Sequence, residues 1–152
     1  VGKLKEKYLK DGVNEYLKRL GSYGSVKIIE IPDDKCPDNG SDREKEQVLD
    51  REGKKILSKL PSDAYPITLE IEGKMLSSEE LAREFDHFPH REVSHLAFIL
   101  GGSLGLSKEV KQKSRLSLSF SQMTFPHQLM RLILIEQIYR AFTINRGTAY
   151  HK

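Results

Sequence analysis

The chain has a single cysteine, Cys36, among 152 residues. With no partner for a disulfide or a Cys-based zinc site, this fits a protein of the reducing cytoplasm. Long apolar runs are also missing. None approaches the ~18 to 20 residues of a membrane span, and the run Leu132–Ile135 stops at Glu136. The first residues contain no apolar stretch of the signal-peptide kind. There is no internal repeat and no low-complexity tract. The chain opens at Val1 rather than at methionine, which leaves room for an upstream element.

What remains is 38% hydrophobic and 31% charged residues with a mean hydropathy of -0.52, enough for one core and a well-solvated surface. Residues 1–152 therefore read as one soluble globular domain with no membrane role. The net charge is only +3, but it is unevenly spread. Residues 61–107 carry three Lys/Arg against eight Asp/Glu, whereas residues 108–152 carry eight against two. A basic excess of this kind suits a surface that meets phosphates, and it equally suits a solvated face with no partner.

Local patterns alternate. Tyr8, Leu9, Val13, Tyr16, Leu17 and Leu20 share a helical face that Gly21 ends. Val26, Ile28, Ile29 and Ile31 form a β-branched run stopped by Pro32, which predicts a strand. Ser41 with Glu44 opens a charged surface helix to about Leu60, and Ser77 with Glu80 opens a shorter one carrying Leu81 and Phe85. Between these two helices, Ile67–Ile71 reads as a strand turned at Glu72-Gly73-Lys74. Leu96–Leu100 reads as a central parallel strand buried on both faces. It runs into Gly101-Gly102-Ser103-Leu104-Gly105, and a helix follows from about Ser107. Next come the strand Leu116–Phe120 and a long helix from about Pro126 to Ile144. The order predicts an α/β fold, a mostly parallel sheet with helices on both faces and ligand sites beyond the carboxyl ends of its strands.

The glycine turn admits close approach of a ligand to backbone amides. It is not a dinucleotide fingerprint, which needs G-x-G-x-x-G and an acidic residue ~20 positions on where Ser121 stands. Nor is it a P-loop, since Leu106 follows Gly105. A tight connection without a ligand remains open on these residues alone. His127, Arg131, Arg140, Tyr150 and His151 are candidates for proton handling or phosphate contact. Arg131 and Arg140 are nine residues apart, roughly on opposite helix faces. His87, His90 and His95 lie near Asp86 and Glu92, but their spacing matches no common zinc pattern, so no metal site is expected.

Three strand-end segments carry more information together: Leu69-Glu70-Ile71-Glu72-Gly73-Lys74, the glycine turn, and Ser119-Phe120-Ser121-Gln122-Met123-Thr124-Phe125-Pro126-His127. Taken with Val1-Gly2-Lys3-Leu4-Lys5, Lys74-Met75-Leu76-Ser77-Ser78-Glu79, Arg140-Ala141-Phe142 and Tyr150-His151, the chain resembles the RlmH family of SPOUT-class RNA methyltransferases along almost its whole length. The resemblance implies a C-terminal trefoil knot, a homodimer, and S-adenosylmethionine held in the knot. It also implies methylation at N3 of a pseudouridine in large-subunit (23S) ribosomal RNA, on the assembled ribosome. The implied cofactor-binding residues are Leu69, Gly101, Phe120, Ser121, Gln122, Met123, Thr124 and Phe125. The catalytic candidates are His127, Arg140, Tyr150 and His151. In the family a first strand precedes the position of Val1, and relatives often have Leu-Asp where Leu69-Glu70 stands. The competing reading is a non-catalytic RNA-binding or ribosome-assembly module that uses the basic C-terminal segment.

Overall fold

The computed structural model describes residues 1–152. Its elements run α1 (Lys7–Leu20), α2 (Asp42–Lys59), β1 (Tyr65–Met75), α3 (Ser78–His87), β2 (Leu96–Ile99), α4 (Lys108–Lys113), β3 (Leu116–Ser119) and α5 (His127–Arg146). The sheet has the order β2-β1-β3, and both pairings are parallel. Parallel neighbours need a crossover; α3 supplies one and α4 the other. Both predicted capping boxes form, Ser41 with Glu44 and Ser77 with Glu80, each satisfying free amides of a first helical turn. At the far end, Gly147 takes the left-handed conformation that closes α5. No helix is long and apolar enough to cross a membrane.

Side chains alternate across the sheet. Ile67 and Leu118 point to one face, where they pack with Leu81, Ala82 and Phe85 of α3 and Ala141 of α5. Phe85 anchors this layer, with ring centroids 5.4 to 6.1 Å from Phe88, Phe98 and Phe142. Ile99 points to the other face and meets Ile56 of α2 and Val110 of α4. Helices thus cover both faces. A third cluster, Val13, Leu20 and Ile135, joins α1 to α5.

The β2 prediction changes. Leu96–Ile99 is an edge strand rather than the central one, and only Ile99 is buried. The central position belongs to β1, flanked on both sides. The predicted strand at Val26–Ile31 does not form, because no strand runs alongside to complete a ladder. Its backbone link to the rest of the fold is the Gly2 amide donating to the Ile31 carbonyl at 2.8 Å. Ile31 is buried, whereas Val26, Ile28 and Ile29 are 40 to 44% exposed. Nor is α2 only superficial, since Val48, Glu52, Gly53 and Ile56 are buried.

β1 is longer than the pattern predicts, and it is irregular. Leu69 and Lys74 both stand opposite Leu118, so residues 70–73 loop out of register. Gly73 makes this possible. A Cβ there would lie 2.8 Å from the Ser117 and Leu118 carbonyl carbons, closer than real side chains come.

Candidate functional site

The loop at residues 70–73, the glycine turn and the segment after β3 meet in one cavity of about 790 Å³. Leu69, Gly101, Phe120, Ser121, Met123, Thr124 and Phe125 all line it, as do His127 and Met130. Of the expected cofactor residues, Gln122 alone lies outside the lining. The segment after β3 is held by short-range bonds. The Ser119 hydroxyl donates to the Ser121 carbonyl at 3.1 Å, and the Met123 amide donates to the Ser121 hydroxyl at 3.0 Å. This leaves the Met123 side chain 73% exposed.

The glycine turn closes through the Gly105 amide and the Gly102 carbonyl at 3.1 Å, with Gly105 at φ +86°. A Cβ on Gly101 would run into the Gly105 backbone. The turn itself therefore requires this glycine, whether or not a ligand approaches. Gly102 is less confined: the nearest atom that a Cβ there would meet is Val1 Cγ1, at 3.3 Å.

One wall is charged. Thr68, Glu70 and Ser117 face α4, and Glu70 accepts hydrogen bonds at Oε2 from the Ser117 hydroxyl and, at 2.7 Å, from the Thr68 hydroxyl. Lys111 Nζ stands 3.5 Å from Oε1. Burial pushes the Glu70 carboxyl up, but the Ser117 and Thr68 hydrogen bonds and the Lys111 cation outweigh it, so the net shift is downward. Glu70 stays ionised. Both Glu70 and Lys111 line the cavity.

His127 is backed by the N-terminal segment, its Nε2 3.2 Å from where a Gly2 Cβ would sit. Arg131 fixes that segment, donating to the Gly2 carbonyl at 2.8 Å and to Glu30 at 2.9 Å. Its side chain is 14% exposed, which makes it a structural clamp. Arg140, Tyr150 and His151 come together elsewhere. Arg140 donates to Glu136 and lies 3.1 Å from His151 Nδ1, with its guanidinium 4.8 Å above the Tyr150 ring. The Tyr150 hydroxyl is 3.0 Å from both Glu136 Oε1 and the Tyr16 hydroxyl, and His151 Nε2 is 2.8 Å from Glu79. Burial, then the bonds to Tyr16 and Glu136, push the Tyr150 phenol well above its ordinary range. Thirteen residues of α5 separate Arg140 from His127, roughly 20 Å along the axis. These three do not line the cavity of their own chain.

A family model described as "Predicted SPOUT methyltransferase" matches residues 1–151. The chain belongs to the SPOUT methyltransferase family. Enzymes of this family generally use S-adenosylmethionine. As a SPOUT methyltransferase site the cavity fits that donor on three counts. Its volume lies within the ~300 to 1,000 Å³ of small-molecule sites. Leu100, Leu106 and Phe125 offer apolar surface for an adenine, and Gly101, Gly102 and Gly105 of the glycine turn line the same wall. The charged wall matches a ligand that carries both signs.

Sequence reasoning passed over three groups in this SPOUT methyltransferase: Glu70 as a charged wall, Lys111 beside it, and Glu136 as the hub of the tail. A signal existed for each. Leu116-Ser117-Leu118-Ser119 alternates with period two and predicts a polar face that Glu70 joins, and Glu136 precedes Arg140 at the i, i+4 spacing of a helical ion pair.

Proposed function

We propose that the chain, as a cytoplasmic homodimer with a knotted C-terminal segment, transfers a methyl group from S-adenosylmethionine to N3 of a pseudouridine in the 23S ribosomal RNA of the assembled ribosome. The observation that carries the reading is the convergence of three strand-end loops on one cavity with His127 in its lining. S-adenosylmethionine brings a methyl group already activated on sulfur, so the protein need not create the electrophile. Its residues orient and exclude water. Leu69, Gly101, Phe120, Ser121, Met123, Thr124 and Phe125 hold the donor. Orienting the two reactants can supply up to ~7 to 11 kcal/mol of barrier reduction. His127 attracts the N3 proton of the base.

Arg140, far along α5 from His127, and Tyr150 and His151 packed beside it do not reach their own cavity, and we place them over the partner's. The surface of α5 supports a dimer. Leu129, Met130 and Ile133 stay half-buried without joining the clusters that pack α5 against α1 and α3, apolar surface beyond what those two contacts use. The test is incorporation of labelled methyl into undermodified assembled ribosomes and into free ribosomal RNA, followed by nucleoside analysis. The expected result is N3-methylpseudouridine from ribosomes only. Methyl on another nucleoside overturns the substrate assignment. Specific ribosome binding with neither donor affinity nor methylation favours the non-catalytic module.

A further inference from the structure

The Glu70–Lys111 pair has a second task. Glu70 spends one oxygen on the fold, since Oε2 takes the hydrogen bonds of both Thr68 and Ser117. The other oxygen, Oε1, has only Lys111 Nζ at 3.5 Å, the outer limit of a hydrogen bond. The Lys111 side chain is 45% exposed, and its Nζ has no other polar partner. A carboxylate with free acceptor capacity and an ammonium with unspent donors thus stand side by side in the cavity wall. Glu72 also lines the cavity, but no cation pairs with it.

We infer that Glu70 and Lys111 form the subsite for the α-amino-acid end of the methyl donor, Glu70 Oε1 receiving the α-ammonium and Lys111 the α-carboxylate. The inference rests on the donor site proposed above and adds a specificity determinant to it. Two opposite charges a few ångströms apart match a zwitterion and offer nothing to an adenosine whose thioether ends in methyl. Each partner of the resting pair exchanges a long, weak contact for a charge-assisted hydrogen bond of ordinary length. Ligands with the amino-acid tail are therefore favoured over those without it, whereas the adenosyl part is held by the loops alone.

Calorimetric titration with S-adenosylmethionine, S-adenosylhomocysteine and 5′-methylthioadenosine tests this on wild-type protein, Glu70→Gln and Lys111→Met. Gln keeps an acceptor for Thr68 and Ser117, and Lys111 is exposed enough to be replaced without unfolding. Each substitution is expected to weaken both tailed ligands about tenfold and to leave 5′-methylthioadenosine within twofold of wild type. Equal loss for all three ligands, or no loss in either variant, overturns the subsite. If Glu70→Gln does not fold, Lys111→Met decides alone by the same ratio. A folded wild-type protein that binds none of the three removes the donor site itself, and the subsite with it.

Discussion

Deleting Tyr150–Lys152 should cost far more stability than removal of three terminal residues ordinarily does. Termini usually contribute few buried contacts, but this one is built into the fold. Tyr150 packs edge-on against Tyr139 with centroids 4.9 Å apart, worth about 0.5 to 1.5 kcal/mol. Its hydroxyl bonds to the Glu136 carboxylate, and hydrogen bonds to charged groups contribute about 1.5 to 3 kcal/mol. Half-burial and the retention of Arg140 on Glu136 reduce that figure, so truncation should cost about 2 to 4 kcal/mol, combining those ranges. For a chain of this length each kcal/mol shifts Tm by about 2 to 4 °C, which gives a fall of about 4 to 16 °C. Tyr150→Phe keeps the ring and loses the hydroxyl, and should cost about 1 kcal/mol. The assay is thermal unfolding of the three proteins at one fixed concentration, since self-association alters Tm. A truncated protein within 1 °C of wild type would refute the docked tail.

Glu70 sets an acid dependence. Its carboxyl is held below the ordinary value, so its contribution is complete above the unfolded value of about 4.3 and is lost as pH falls through the folded value. Glu70→Gln should flatten the stability profile below about pH 4.5, and a denaturant series from pH 3 to 7 with parallel slopes for both proteins would contradict this. Gly101→Val should destabilise the turn even without ligand, because the Gly105 backbone occupies the space, whereas Gly102→Ala should fold normally. Equal Tm for the two variants would oppose that distinction. Light scattering should give twice the 17.4 kDa chain mass, and a monomer at micromolar concentration would contradict the proposed homodimer.

Much of the fold was legible because its signals are local. The two capping boxes and the stop of α1 at Gly21 depend on neighbours within one or two turns. Strand position in the sheet is not local. Leu96-Ala97-Phe98-Ile99-Leu100 reads as a central strand by composition, yet its place at the edge is decided by what lies beside it. Likewise Val26–Ile31 has the right residues for a strand and lacks a neighbour. In the site, the lining loops could be found from glycine and strand-end placement together with the resemblance. Arg140, Tyr150 and His151 lie together, but their distance from the cavity follows from helix geometry that no motif displays. Glu70 was hidden because its partners, Ser117 and Lys111, come from another strand and a helix more than 40 positions away.

The most direct test is hydrogen–deuterium exchange of the wild-type protein with and without S-adenosylmethionine. Slowed exchange is expected in residues 69–73, 100–106 and 119–127, with little change in α1 or α2. Absence of protection at saturating donor, or protection centred on other segments, would contradict it.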